Sequence, residues 1–264
     1  MTGNRPLAFV TGASSGIGAD LARELARHGH DLVLTARRTE PMRALADELK
    51  TLGAASTVIS ADLSKPGTAE ALARDLETRG LAIDVLVNNA GLGAGGPFHE
   101  SDPARVSEML YVNVVALTEL TRALLPSMVK RKSGRVLLVA STASFQPGPS
   151  MAVYCASKAF VLSFGEAISY ELRGTGVTVT TLCPGPTHSE FTTVAKTDTS
   201  MLFEGPGASV MTSAEVARQG YRAMAAGKRV HIAGLMNKII AASGRFSPHA
   251  ISLPVTSAIL KPGK

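Results

Sequence analysis

Three side chains in the second half of the 264-residue chain could handle a proton together. Tyr154 and Lys158 stand four residues apart in the stretch YCASK, where an apolar helix is predicted to begin, and Ser141 lies a short way upstream. Residues at that spacing point the same way from successive turns of a helix. They could exchange a proton with a bound ligand, but a Tyr and a Lys so placed are more often a packed ring and a solvated charge.

The hydrophobic pattern predicts the elements that position these side chains. GRVLLVAS, residues 134–141, is typical of a fifth strand that brings Ser141 to its carboxyl end, the edge at which open parallel sheets bind ligands. The helix that carries Tyr154 and Lys158 is expected over residues 152–172. Both predictions place the three polar groups at one edge of a sheet.

A long helical stretch from residue 102 to residue 132 contains Asn113 among apolar residues. Pro103 suits the start of that helix, whereas Pro126 is expected to bend or end it. An asparagine competes with helical hydrogen bonds and is costly to bury unpaired. We therefore expect Asn113 to have partners, and a structural kink is the alternative explanation.

The chain begins with a predicted strand, a glycine turn and a helix. Leu7–Val10 is an apolar run that leads into TGASSGIG, Thr11–Gly18, and a helical periodicity follows. Gly12, Gly16 and Gly18 would allow a tight bend and close approach of the backbone to a pyrophosphate. The helix N-terminus would offer N–H groups to phosphate. This pattern favours a dinucleotide site, although glycine also serves other strand-to-helix turns.

The residues after the second apolar run indicate which dinucleotide. DLVLT, residues 31–35, is followed by Ala36, Arg37 and Arg38, where an acidic residue would bind a free ribose 2'-hydroxyl and a cation would accommodate a 2'-phosphate. A guanidinium can hold phosphate with two hydrogen bonds. We predict NADP rather than NAD, and the alternative is a pair of solvated arginines that end a strand.

Strands and helices of ordinary length alternate along the rest of the chain. The pattern predicts an α/β fold, a single Rossmann-type doubly wound parallel sheet with helices on both faces. No composition break divides it, so we expect one domain over residues 1–264, with a last strand in KRVHIAG and a tail from residue 235 to residue 264.

Composition and charge exclude several classes of protein. Hydrophobic residues make up 45% of the chain, and 27 basic against 21 acidic residues give a net charge of +6 without a dense basic tract, so nucleic acid is not an expected partner. Cys155 and Cys183 match no metal-ligand spacing, and two distant thiols are typical of a reducing compartment. With neither a leader pattern nor an apolar run of membrane-spanning length, we predict a soluble cytoplasmic protein without stable membrane insertion.

Taken in order, these motifs resemble those of the short-chain dehydrogenase/reductase family, from Leu7 to about Gly234. Asn113, Ser141, Tyr154 and Lys158 resemble its catalytic tetrad. The resemblance and the preceding arguments give these candidate cofactor-binding residues: Gly12, Ser14, Ser15, Gly16, Ile17, Gly18, Arg37, Arg38, Asp62, Leu63, Asn89, Ala90, Gly91, Tyr154, Lys158, Pro184, Gly185, Thr187 and Ser189. The family usually has threonine where this chain has Ser189, so either Ser189 or Thr187 could meet the nicotinamide carboxamide.

The resemblance implies hydride transfer between NADP(H) and a carbonyl or secondary alcohol. Tyr154 would exchange the proton, and Lys158 with an oxidised nicotinamide would lower its pKa from the usual value of about 10. Ser141 would hold the substrate oxygen, Lys158 would also bind the nicotinamide ribose, and Asn113 would hold a water.

Apolar residues indicate the kind of substrate and partner. Residues 186–211 are expected to form an apolar lid, which favours a hydrophobic small molecule, and GLGAGGPFHE, residues 91–100, is expected to line the pocket. The tail could pack on a neighbour, contribute to the pocket or touch a membrane. The Asn113 and Tyr154 helices are apolar on several sides, which predicts a homodimer or homotetramer. His188 and Cys155 match no motif and are interpreted as bystanders.

The alternative function is a non-catalytic NADP-binding regulatory or scaffold protein of the same fold. The complete tetrad argues against it. A nucleotide hydrolase is excluded because no lysine follows the glycines to reach terminal phosphates.

Overall fold

Parallel strands form the central sheet of the computed structural model, which describes residues 5–188, 210–246 and 249–260. Its seven strands are Leu7–Thr11 (β1), Asp31–Ala36 (β2), Ser56–Ser60 (β3), Val85–Asn88 (β4), Gly134–Val139 (β5), Val177–Cys183 (β6) and Val230–Ile232 (β9), and the two short strands β7, Thr187–His188, and β8, Met211–Thr212, pair with each other outside this sheet. The order of the seven strands across the sheet is β3-β2-β1-β4-β5-β6-β9. The order reverses between β1 and β4, which is where open α/β sheets form a ligand crevice.

Helices cover both faces of this sheet, as the alternation predicts. Their bounds are Gly16–Arg27 (α1), Thr39–Thr51 (α2), Thr68–Thr78 (α3), Pro103–Leu110 (α4), Leu117–Arg131 (α5), Ala152–Glu171 (α6), Ser213–Ala225 (α7), Leu235–Phe246 (α8) and His249–Leu260 (α9). One core cluster joins α1, α2 and α7 to the sheet, and another joins α3, α5 and α6 to its opposite face. The predicted fold class is confirmed.

Successive residues of a strand point to opposite faces, and the central strands are apolar in both directions. Ala8 and Val10 of β1 belong to the first cluster, whereas Phe9 between them belongs to the second, and all three are fully buried. A strand buried on both faces reads as a continuous apolar run. This explains why LAFV in the sequence shows no alternation.

The predicted elements differ from the structure mainly at prolines and strand ends. Strand β5 ends at Val139, so Ser141 lies beyond the strand and caps a short 3-10 helix, Thr142–Phe145. Helix α5 continues through Pro126 to Arg131, so the prediction that Pro126 could end the helix is wrong. Helix α9 likewise contains a proline, Pro254.

Helices α4 and α5 are joined by a π-helical turn over Tyr111–Ala116, which makes one continuous helix from Pro103 to Arg131. Asp102 accepts a hydrogen bond from the Ala104 N–H at its start, with Pro103 in the first turn as predicted. This 29-residue helix is long and apolar enough to cross a membrane by length and composition alone. Leu117, Leu120 and Leu124 pack in the sheet core, which places this part of the helix inside the fold.

Most of the predicted lid lies outside the described residues, including Phe191, Met201, Leu202 and Phe203. Its two ends are described. Thr187–His188 (β7) pairs with Met211–Thr212 (β8) as two short parallel strands, so the segment leaves and re-enters the fold at neighbouring points. Thr212 then caps α7 in a capping box with Glu215.

Candidate active site

Tyr154 and Ser141 meet at the carboxyl edge of the sheet. Tyr154 lies in the first turn of α6, is buried, and is joined to Ser141 by a side-chain hydrogen bond. Ser141 is held in turn, because its Oγ accepts a hydrogen bond of 3.1 Å from the Ala143 N–H. The backbone around it continues the pairing with β6, since Thr142 N donates to Pro184 O at 2.8 Å. The hydroxyls of Tyr154 and Ser141 are thus held next to each other at this edge of the sheet.

Lys158 reaches the same region from the next turn of α6. It is 4% exposed, and its Nζ donates to the Val139 carbonyl at 2.8 Å. The ammonium lies 5.9 Å from the centroid of the Tyr154 ring. A methyl group on Gly91 would approach Nζ to 3.4 Å, so the glycine leaves the ammonium room. Burial lowers the pKa of Lys158 to about 8, against a small opposing effect of Cys183.

Within the chain itself, the pKa of Tyr154 lies above its ordinary value. Burial raises it to about 12, because a phenol in an apolar cluster loses the water that would solvate its anion, and the hydrogen bond with Ser141 only partly opposes this. The lowering expected from Lys158 together with an oxidised nicotinamide concerns the cofactor-bound enzyme and stays a prediction. The Lys158 ammonium also donates a hydrogen bond to the Val139 carbonyl.

Asn113 lies in the π-helical turn and is 1% exposed. Its Oδ1 accepts from the Leu92 N–H at 2.8 Å, and its Nδ2 donates to the Leu92 carbonyl at 2.9 Å and to Ser157 Oγ at 3.0 Å. The predicted partners are present. Both amide hydrogens are committed to protein acceptors, so the side chain serves the backbone after β4. The predicted water contact stays a prediction.

The stretch NNAG, residues 88–91, holds the end of β4 against the glycine turn through hydrogen bonds. Asn89 Nδ2 donates to the carbonyls of Thr11 at 3.0 Å and Gly12 at 3.2 Å. Thr11 Oγ1 accepts from the N–H groups of Asn89 and Ala90, both at 3.0 Å, and donates to Val87 O at 3.3 Å. The Thr11 hydroxyl thus joins the ends of β1 and β4, the two strands between which the strand order reverses, by three hydrogen bonds.

We expect Thr11→Val to lower the free energy of unfolding by about 2 kcal/mol, because the Ala90 N–H would be left without its acceptor. The matched control is Thr181→Val. Thr181 is equally buried, but its hydroxyl has no hydrogen-bond partner among the described residues, so replacing it with a methyl group should not lower the free energy of unfolding. Urea unfolding of both variants measures the difference. Equal effects would contradict the role given to Thr11.

The turn before α1 fits a dinucleotide pyrophosphate. Ser15, the N-cap of α1, makes no side-chain hydrogen bond to the helix, and the first turn contains no acidic residue. Gly12 adopts a left-handed conformation with φ of 66°. A methyl group on Gly18 would lie 2.3 Å from the Gly12 carbonyl oxygen, so only glycine allows this approach of helix and turn. Free N–H groups and a dipole remain available to an anion.

The arginines after β2 are placed where the sequence predicts them. Arg37 and Arg38 follow Ala36, the last residue of β2, and both are exposed. Nearby, burial opposes ionisation of Asp62, but hydrogen bonds from the Ser64 hydroxyl and N–H, together with the charge of Arg37, hold its pKa below the usual value. A carboxylate and a guanidinium therefore stand at the same end of the sheet.

The candidate residues expected beside the nicotinamide, which begin with Pro184 and Gly185, follow β6. Thr187 is buried, and its hydroxyl donates to Gly185 O at 2.9 Å. A methyl group on Gly185 would overlap the side chain of Asn237 in α8, so the loop and the tail helix are in close contact. The remaining candidates are placed as follows: Ser14 in the turn, Gly16 and Ile17 at the start of α1, Leu63 buried after β3, and Pro184 directly after β6. Ser189 lies outside the described residues.

Comparison with known proteins decides the family. Residues 6–200 match the family model described as short chain dehydrogenase, which is more than half of the chain. The chain belongs to the short chain dehydrogenase family. A short chain dehydrogenase of Pseudocercospora fijiensis is 38% identical over 186 residues, a match that covers 69% of this chain but only 60% of that relative's length. The NADP-dependent 3-hydroxy acid dehydrogenase YdfG of Salmonella typhi is 38% identical over 180 residues, covering 68% of this chain and 71% of the relative.

Solved structures agree in fold over a larger part of the chain. A short-chain dehydrogenase from Sphingobium yanoikuyae in complex with NADPH superposes with a TM-score of 0.81 and 33% identity, covering 90% of this chain and 92% of that one. The resemblance inferred from the motifs is therefore confirmed at the level of family and fold. The individual roles of the tetrad in this short chain dehydrogenase stay predictions.

Sequence reasoning missed two side chains that organise the site of this short chain dehydrogenase. The sequence pattern identified Thr11 only as the first residue of the glycine turn, and it gave no role to Ser157 within YCASK. For Ser157 a signal was present, because it directly precedes Lys158 and lies three residues after Tyr154, one helical turn away on the same helix. For Thr11 no signal was available, because its partners come from residues 76 to 79 positions away.

The two cysteines are buried free thiols. Burial raises the pKa of Cys155 to about 11 and that of Cys183 to about 12, so both are protonated near neutral pH. Cys155 lines an apolar groove of about 560 Å³ between α6, residues 144–149 and Leu253 of α9. Cys155 thus serves packing, which agrees with its interpretation as a bystander.

Proposed function

We propose that this short chain dehydrogenase is an NADP(H)-dependent oxidoreductase that interconverts a carbonyl group and a secondary alcohol on a small apolar molecule. The observation that carries the proposal is the buried hydrogen bond between Tyr154 and Ser141 with the Lys158 ammonium beside it. A proton donor, a second hydroxyl and a cation converge at the ligand edge of the sheet. The family supplies the reaction class.

NADP is the dinucleotide that the residues support. The N-terminus of α1 offers its N–H groups to the pyrophosphate, and Arg37 and Arg38 offer guanidinium groups to a 2'-phosphate. The NADPH complex of the Sphingobium protein and the NADP-dependent Salmonella enzyme are consistent with this choice. When bound, NADP(H) supplies or accepts the hydride at nicotinamide C4.

Tyr154 is proposed to donate the proton that the carbonyl oxygen needs during reduction. With a pKa that burial raises to about 12, Tyr154 is protonated near neutral pH and carries the proton to be donated, and charges that favour the phenolate would be needed to ease its transfer. Ser141 would hold the substrate oxygen by a second hydrogen bond and orient it. Lys158, whose pKa is lowered to about 8, would bind the nicotinamide ribose and favour the phenolate through its charge when it is protonated.

The surroundings of Tyr154 support an apolar substrate. Its ring belongs to a cluster with Met109, Met151 and Cys155, and Leu92 and the tail residue Leu260 pack against the same cluster. An apolar molecule next to the phenol would replace water at these side chains. The packing of Leu260 supports a contribution of the tail to the walls of the site, one of the roles considered for it.

Further proposals concern location and assembly. We propose a cytoplasmic protein of one domain, consistent with two buried free thiols. We also propose a homo-oligomer, because Phe160 on α6 is 39% exposed and stacked on Phe164 at 5.7 Å between ring centroids. Sedimentation that shows a monomer at micromolar concentration would contradict the oligomer.

The experiment that tests the function is a panel of ketones of increasing apolar size, each mixed with enzyme and NADPH. We expect loss of NADPH absorbance with at least one bulky ketone and slower loss with acetone. The fluorescence of bound NADPH is measured in parallel. Binding without turnover across the panel would favour the non-catalytic regulatory or scaffold protein, and absence of binding would contradict the cofactor.

A further inference from the structure

We propose that Ser157 is a positioning residue of this site: its hydroxyl fixes the orientation of the Asn113 amide and, through it, the backbone that follows β4. The inference rests on the proposed oxidoreductase function. Ser157 is 2% exposed and lies on α6 between Tyr154 and Lys158.

The Ser157 hydroxyl has a single proton, and the partner that receives it decides how the serine can bind Asn113. Ser157 Oγ donates its only proton to the Tyr154 carbonyl at 2.7 Å, so towards Asn113 it can only accept. The amide must therefore present Nδ2, which lies 3.0 Å away, and not Oδ1. Ser157 thus adds an acceptor that stabilises one of the two orientations of the Asn113 amide.

The selected orientation is the one that holds Leu92. With Nδ2 towards Ser157, Oδ1 accepts from the Leu92 N–H at 2.8 Å and the second Nδ2 hydrogen goes to the Leu92 carbonyl at 2.9 Å. In the flipped amide, an NH2 group would face the Leu92 N–H and two donors would oppose each other. The serine hydroxyl therefore favours the arrangement that pins this stretch of backbone.

Leu92 connects this chain of hydrogen bonds to the reacting groups. Its side chain packs against the cluster that contains the Tyr154 ring, and a methyl group on the neighbouring Gly91 would lie 3.4 Å from the Lys158 ammonium. Three elements are joined in this way: the end of β4, the π-helical turn and the first turn of α6. Loosening Leu92 would move one wall of the space beside the phenol.

The variant Ser157→Ala removes the acceptor and keeps the helix. We expect kcat with the best ketone of the panel to fall about tenfold, since one hydrogen bond of the network is lost, while NADPH affinity changes less than about twofold. Ser163→Ala is the matched control, because Ser163 is exposed on the same helix and should leave kcat unchanged. Ser157→Cys keeps the size but weakens the bond, so its kcat should be intermediate.

A double-mutant cycle separates positioning from general destabilisation. In an Asn113→Ala background there is no amide left to orient, so adding Ser157→Ala should lower kcat by less than about twofold. Full additivity of the two effects would overturn the inference.

Hydrogen exchange at the Leu92 amide gives a readout that does not depend on turnover. We expect exchange to become about tenfold faster in Ser157→Ala and to stay unchanged in Ser163→Ala. Unchanged protection of Leu92 in Ser157→Ala would overturn the inference, even if the wild-type protein reduced no ketone and the proposed function itself failed. If Ser157→Ala does not fold, Ser157→Cys is measured in the same way.

Discussion

Tyr154→Phe is expected to lower kcat by about a thousandfold or more, within the usual range for loss of a general acid. The substitution removes only the hydroxyl, and the ring would remain in its cluster with Met109 and Met151. NADPH binding should therefore change little, which fluorescence titration can verify. Single-turnover kinetics with the best ketone of the panel would measure the loss.

The matched control is Tyr170→Phe on the same helix. Tyr170 is 60% exposed, and its ring lies under the Arg173 guanidinium at 3.9 Å, a contact that phenylalanine keeps. Its kcat should equal that of the wild type. A Tyr154→Phe enzyme with more than a tenth of wild-type kcat would show that the proton comes from another group.

Arg37→Asp is expected to weaken NADPH binding about a hundredfold while NADH binding changes less than about threefold. The guanidinium follows β2 at the end of the sheet, and replacing it removes a charge-assisted hydrogen bond to phosphate and adds a repelling carboxylate. Titration of both cofactors by fluorescence gives the two affinities directly.

Arg74→Asp is the control for the change of net charge. Arg74 lies on α3 with a side chain that is 69% exposed, and its only described partner is Glu70 at 3.7 Å. It should leave the preference for NADPH intact. An unchanged preference in Arg37→Asp would mean that the 2'-phosphate is bound elsewhere.

The fold could be predicted from the sequence because a strand that is buried on both faces of the sheet appears in the sequence as a continuous apolar run. Runs such as LAFV and LVL, residues 32–34, are apolar in both directions, and each is followed by a turn and a helical periodicity. The effect of the prolines on the helices was harder to predict. Pro126 and Pro254 lie inside helices, since packing along the helix can outweigh the loss of one backbone hydrogen bond.

The positions of the candidate site residues could also be predicted, because motifs at strand ends must meet at one edge of a parallel sheet. Their energetics could not. The pKa of Tyr154 depends on how much water the surrounding apolar cluster removes, and the commitment of Lys158 to the Val139 carbonyl depends on where β5 ends. Both are properties of contacts between residues distant in sequence.

The π-helical turn over Tyr111–Ala116 affects how this chain should be aligned with its relatives. Such a turn accommodates one residue more than a regular α-helix of the same length. Beside a relative with an uninterrupted α-helix, a gapless alignment could match Met109 or Leu117 to its structural equivalent, but not both. A one-residue gap inside the turn is needed, and its placement decides which residue of the relative stands opposite Asn113.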